Sequence, residues 1–183
     1  DIKDIDDEYL ERVIAEGDVV GIVGGPPCQG YSTVGTRDIN DPRNHLYLEY
    51  CRIVEKVRPD FFVIENVKGL LTLAGGAFRD DIIKRFSALG YTVQAQILNA
   101  ADYGVPQNRQ RVFFVGLKKN NFEFPKPQER KWTCEEALSD MPIINDENGM
   151  AEIMQYRCDA LNEYQKLMRV NSNVVMNNQI TVH

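Results

Sequence analysis

The sequence predicts an α/β fold, a sheet with covering helices and an antiparallel hairpin at its edge. Short apolar runs bounded by turn residues, Val19–Val23 and Phe61–Ile64, alternate with amphipathic stretches of helical period. Two more strand-like runs, Thr92–Leu98 and Val112–Leu117, follow with no helical stretch between them, and so close a pair reads as a hairpin.

In chain order, Tyr9–Glu16 reads as a short helix feeding a strand over Asp18–Val23. Gly24, Gly25, Pro26 and Pro27 then force a sharp, rigid exit, because glycine reaches positive φ and proline fixes φ. Cys28 stands just past the strand's carboxyl end, where open α/β sheets collect their ligands. The polar, turn-rich stretch Gln29–Asn44 reads as a mobile active-site lid, since loops of that length are usually functional or disordered. Leu46, Tyr50, Ile53, Val54 and Val57 form one apolar helical stripe, and Pro59 ends it. A strand over Phe61–Ile64 closes on Glu65-Asn66-Val67; taken alone, Glu65-Asn66 also suits a helix cap. Phe78, Ile82, Ile83, Phe86 and Leu89 mark a second helix stopped by Gly90, while Gly69, Gly75 and Gly76 read as turn formers. Asp102–Pro106 turns between the last two strands. Thr133 and Glu136 make a capping box for a short helix ending near Met141-Pro142. Leu161–Met168 reads as helical, and Asn171–His183 favours no element type.

A chain of 183 residues holds one domain, or one domain and part of another. No apolar run approaches the ~20 residues of a membrane span. The acidic start (Asp1, Asp4, Asp6, Asp7, Glu8) is unlike a signal peptide. A net charge of −6 argues against a uniformly basic nucleic-acid binder. It leaves room for a local stripe: Arg109, Arg111, Lys118, Lys119, Lys126, Arg130 and Lys131 suit either phosphate contacts or a solvated face. Cys28, Cys51, Cys134 and Cys158 are widely spaced and the chain has 2 histidines, so no metal site is expected. The pattern suits a reducing compartment, with Cys51 as a packing residue.

Chemistry gathers at three strand ends: Cys28, Glu65-Asn66, and Gln107-Asn108-Arg109-Gln110-Arg111. In a parallel sheet the carboxyl ends of successive strands share a rim, so Cys28 and Glu65 should face one cleft. A thiol, a carboxyl group and guanidinium groups around one pocket suit covalent catalysis on a ring that needs activation. A free thiol, with pKa ~8.5, is mostly protonated at neutral pH, so Cys28 needs backbone N–H groups or a cation to favour the thiolate. Glu65 follows four apolar residues and is expected to be desolvated.

Pro26-Pro27-Cys28-Gln29, Glu65-Asn66-Val67 and the Gln-x-Arg-x-Arg of Gln107–Arg111, in that order, resemble the three central motifs of the C5-cytosine DNA methyltransferases. The similarity runs from Asp1 to about Leu117 and continues weakly beyond. It implies part of a Rossmann-like, S-adenosylmethionine-dependent methyltransferase sheet. It also implies methyl transfer to C5 of a cytosine flipped out of double-stranded DNA, in the cytoplasm of a bacterium and near its nucleoid. By that resemblance Cys28 is the nucleophile that adds to C6. Glu65 contacts N3 and the exocyclic N4, Arg111 holds O2, and Arg109 lies beside it. Gln29, Ser32, Gly35 and Arg43 face the DNA from the closing loop. Leu46, Pro27 and the opening Asp1-Ile2 border S-adenosylmethionine, with Asp1 on its adenine amine.

The family's glycine-rich Phe-x-Gly-x-Gly turn and its ribose-gripping acid do not occur in this sequence; in the family both lie upstream of Asp1. The resemblance therefore implies a sheet lacking its first strands, with residues 1–131 as part of a catalytic domain. Residues 132–183 would connect to a truncated target-recognition domain. Such a piece alone is expected to be inactive, with an exposed sheet edge that a second copy could cover as a homodimer. Alternatives are a transfer-RNA cytosine-5 methyltransferase and a non-catalytic nucleic-acid-binding subunit. A thiol hydrolase fits less well, because no histidine is placed to serve Cys28.

Overall fold

A computed structural model of the chain describes residues 2–27, 46–145, 152–170 and 172–176. The expected lid over Gln29–Asn44 lies outside the described residues. The chain divides into two compact units, Asp1–Asn99 with Arg109–Lys126, and Ala100–Asn108 with Pro127–His183.

The first unit carries helix α1 (Asp7–Glu16), strand β1 (Gly21–Gly24), helix α2 (Leu46–Val57), strand β2 (Phe61–Val67), helix α3 (Ala77–Ala88), and strands β3 (Thr92–Asn99) and β4 (Gln110–Leu117). The sheet order is β1-β2-β4-β3. β1 and β2 are parallel, whereas β4 is inserted antiparallel between β2 and β3. The edge hairpin expected from the sequence is present, with β3 outermost. Because β4 runs against β2, the start of β4 and the end of β2 share one rim, where Val67 faces Arg111.

Element ends differ from expectation for local reasons. α1 starts at Asp7, earlier than Tyr9, because the Asp6 carboxylate accepts the Tyr9 N–H at 2.7 Å and caps the helix. β1 begins at Gly21 rather than Asp18. Ahead of it the Val20 carbonyl takes the N–H groups of Asp60, in the turn before β2, and of Phe61, which opens β2. The buried face of α2 is Tyr47, Tyr50, Cys51 and Val54, rotated from the predicted stripe so that Leu46 and Ile53 are half-buried. Tyrosine can line this core because each hydroxyl finds a partner: Tyr47 donates to Asp81, and Tyr50 lies within reach of the Ile22 and Val63 carbonyls.

Alternation along β2 aims Phe62, Ile64 and Asn66 at the core, where Phe62 and Ile64 join Val112 and Phe114 of β4, α2, and Ile82 and Phe86 of α3. The Phe62 ring lies 3.9 Å from Phe86 and 5.2 Å, edge-on, from Tyr91. A Cβ at residue 116 would come within 2.0 Å of that ring, so Gly116 is what lets Phe62 cross the sheet. Truncating such a residue to alanine costs about 3–5 kcal/mol. Val63, Glu65 and Val67 point to the opposite face.

The second unit contains α4 (Cys134–Leu138), β5 (Ile153–Gln155), α5 (Glu163–Arg169) and β6 (Val174–Met176). The capping box forms as expected, with Thr133 and Glu136 satisfying each other's backbone N–H groups. α4 stops at Leu138, short of Met141. β5 and β6 pair antiparallel around α5, a two-stranded sheet the sequence did not announce.

Candidate active site

Register builds the site. Glu65 lies opposite Phe113 and Val67 opposite Arg111, so Glu65 and Arg111 are diagonal neighbours on one face of the sheet. Their side chains meet, with Arg111 Nε 2.9 Å from Glu65 Oε1. Arg111 Nη1 also donates to the Gln110 carbonyl at 2.9 Å. The expected desolvation of Glu65 does not occur: its side chain is 37% exposed and Arg111 is 25% exposed. The face opposite the core leaves the carboxylate open and gives it a cation instead of a dry pocket.

The exit of β1 passes close to Glu65. A Cβ on Gly25 would lie 3.4 Å from Glu65 Oε2, so the loop leading to Cys28 runs against the carboxylate. Asn66 fixes that loop from the other side of β2. It is 5% exposed, its amide donates to the Pro26 carbonyl at 2.7 Å, and its Oδ1 accepts the Val67 N–H at 2.8 Å. Glu65 and Asn66 therefore belong to the strand, not to a helix cap. Asn66 is the residue the sequence undervalued; a polar residue at an inward position of an alternating strand was its signal.

Arg109 stands exposed, one residue ahead of β4. Cys28, Gln29, Ser32, Gly35, Arg43 and Asp1 lie outside the described residues. Of the expected cofactor residues, Leu46 is half-buried at the start of α2. Ile2 sits half-buried in a 3-10 turn over Ile2–Asp4 that packs against α2. The Arg52 guanidinium, donating to the Ile5 carbonyl, holds the neighbouring chain against α2. Pro27 is exposed beside the buried Pro26. Leu46, Ile2 and Pro27 are all apolar side chains that keep at least part of their surface open to solvent. Among the described residues no cluster of His, Cys, Asp and Glu could hold a metal ion, and no helix is long and apolar enough to cross a membrane.

The model of the C-5 cytosine-specific DNA methylase family matches residues 1–181. The chain belongs to that family. It is 44% identical over 194 aligned residues to the type II methyltransferase M.DdeI of Desulfomicrobium norvegicum, across 100% of this chain and 46% of the relative. It is 48% identical over 131 residues to M.BsuRI of Bacillus subtilis, across 70% of this chain and 29% of the relative. The chain thus spans less than half the length of these curated relatives. Among solved structures it resembles one assigned to a DNA modification methyltransferase encoded within an E. coli prophage. The TM-score is 0.73 at 26% identity, covering 96% of this chain and 56% of that one. Likeness to the S. pombe Dnmt2 methyltransferase, with TM-score 0.51 and 20% identity over 83% of this chain and 43% of that one, shows the fold alone. The α/β sheet read from the sequence is thus the sheet of this methylase family, and family and fold imply use of S-adenosylmethionine.

Proposed function

We propose that this chain is the central catalytic segment of a DNA cytosine-5 methyltransferase of a restriction–modification system. Residues 1–131 supply part of the catalytic domain and residues 132–183 lead into target recognition. The observation that carries the reading is the Glu65–Arg111 pair, held 2.9 Å apart on the rim where the loop toward Cys28 leaves β1.

In this reading the Cys28 thiolate adds to C6 of a cytosine flipped out of the duplex, which makes C5 electron-rich. Glu65 meets the ring edge at N3 and N4, and its exposure leaves it open to that edge. Arg111 holds O2, its guanidinium carrying more donors than the bonds to Glu65 and Gln110 use. Asn66 keeps the Pro26 carbonyl in place and with it the path to Cys28. S-adenosylmethionine, when bound, supplies the electrophilic methyl group. Ile2, Pro27 and Leu46, with Asp1, would border it. Arg109 lies beside Arg111, near the active site and cofactor. Gln29, Ser32, Gly35 and Arg43 face the DNA, and closure of the 29–44 loop excludes water from the adduct.

Bisulfite sequencing tests this directly. DNA from a methylation-free host expressing the full-length protein that carries this chain should show protected cytosines in one recurring context. Cys28→Ser should abolish them. Unmethylated DNA from a folded, well-expressed protein refutes the reading, and transfer RNA from the same cells then becomes the acceptor to assay.

A further inference from the structure

Backbone pairing between β2 and β4 ends at Val67 and Arg111, so the residue that grips Glu65 sits on the last rung of its ladder. Strand ends open more readily than strand centres, and an end rung is a poor place to fix a guanidinium unaided. Side chains extend the ladder beyond it. Lys68, the first residue past β2, donates from Nζ to Gln110 Oε1 at 2.8 Å. Gln110 opens β4 and pairs with Asn99 on its other flank. The same Gln110 accepts Arg111 Nη1 on its carbonyl at 2.9 Å, while Arg111 Nε holds Glu65.

We propose that Lys68 and Gln110 are positioning residues, a latch that holds the start of β4 so that Arg111 stays on Glu65. The proposal rests on the catalytic reading above and names residues that reading does not use. The chemistry suits the task. A lysine beside a guanidinium could compete for its carboxylate. Here the ammonium is engaged by a neutral amide oxygen, and Glu65 is left to Arg111. Lys68 and Gln110 are both exposed, so the bond contributes little to overall stability. Its effect falls on the posture of one side chain. Gln110 occupies a free position of the Gln-x-Arg-x-Arg pattern, so the motif gives no hint of it.

The test uses the full-length protein labelled with ¹⁵N-arginine, the Arg111 Nε–H signal being assigned by its loss in Arg111→Lys. Lys68→Met and Gln110→Leu should each speed solvent exchange of that signal by about five-fold and lower kcat similarly, with KM for DNA unchanged. Lys68→Arg, which can still reach the amide, should restore both. The double variant should be no worse than either single one, because both remove the same bond. An Arg111 signal indifferent to Lys68→Met overturns the latch. So does a defect confined to KM that steepens with salt, which would make Lys68 a phosphate contact. If the wild-type protein methylates no DNA cytosine yet its Arg111 signal responds to Lys68→Met, the latch stands and the catalytic reading falls.

Discussion

Two acid–guanidinium pairs, one in each unit, have the same chemistry and opposite settings. Asp140 and Arg169, in the second unit, are 3% and 12% exposed in their side chains, with contacts of 2.7 and 3.0 Å. Arg169 also donates to the Cys158 carbonyl at 2.6 Å and stacks 3.9 Å over the Tyr156 ring, and the Asp140 carbonyl takes the Arg157 N–H. These groups are committed to ties that fasten the end of α4 to α5. Glu65 and Arg111, in the first unit, meet at 2.9 Å, Arg111 donates once more to the Gln110 carbonyl, and both side chains keep part of their surface in solvent. A committed pair can only hold a fold, whereas a pair with capacity left over can take a ligand.

The sharpest test of that contrast is Asp140→Ala, which removes the buried carboxylate from a guanidinium only 12% exposed. Removing one partner of a buried pair costs about 3–5 kcal/mol. Denaturant titration should show that loss, and amide exchange should place it in α4 and α5. Next comes Glu65→Gln. Methyl transfer by the full-length protein should fall by about 10²-fold. Unfolding free energy should move by less than about 1 kcal/mol, as for exposed pairs. The distinction between the two pairs fails if Glu65→Gln destabilises the protein as strongly as Asp140→Ala does.

Asn66→Leu falls between them. It removes the buried bond from the Asn66 amide to the Pro26 carbonyl, at about 1–3 kcal/mol. Because that carbonyl precedes the path to Cys28, the rate of thiol modification at Cys28 should change as well. Mass-spectrometric mapping of alkylation would read it, and an unaltered Cys28 rate would confine Asn66 to stability.

Legibility followed the range of the interactions. α3, β3 and the capping box at Thr133 arise from residues close in sequence, and periodicity or spacing exposed them. The β5–β6 sheet joins Ile153 to Met176 through three-residue strands, too short to show alternation and too far apart to announce each other. The α2 face was misjudged because Tyr47 is half polar, and only Asp81 on α3 makes its burial acceptable. At the site, Glu65 and Arg111 stood out as residue types beside strand ends. Their meeting depends on β4 entering antiparallel beside β2, and no local pattern encodes a neighbour in a sheet.

Asp81 marks the middle of the scale and carries the smallest expected effect. Its carboxylate accepts from the Tyr47 hydroxyl and, at 2.7 Å, from Arg85 Nε, with side-chain exposures of 33% for Asp81 and 49% for Arg85. Burial pushes the Asp81 carboxyl up, but the bonds from Tyr47 and Arg85 outweigh it and hold it below its ordinary value. A carboxylate depressed by folding adds stability that is present above its unfolded value, ~3.9, and is lost as pH falls through the lower folded one. The wild-type protein should therefore shed this increment in acid below about pH 4, while Asp81→Asn, lacking it throughout, shows a shallower acid limb. Solvent screening at a third-exposed site keeps the increment small, well under the loss expected for Asp140→Ala. Denaturation midpoints between neutral and acidic pH would decide it. Parallel acid limbs in the two proteins would place Asp81 with the surface pairs that hold nothing.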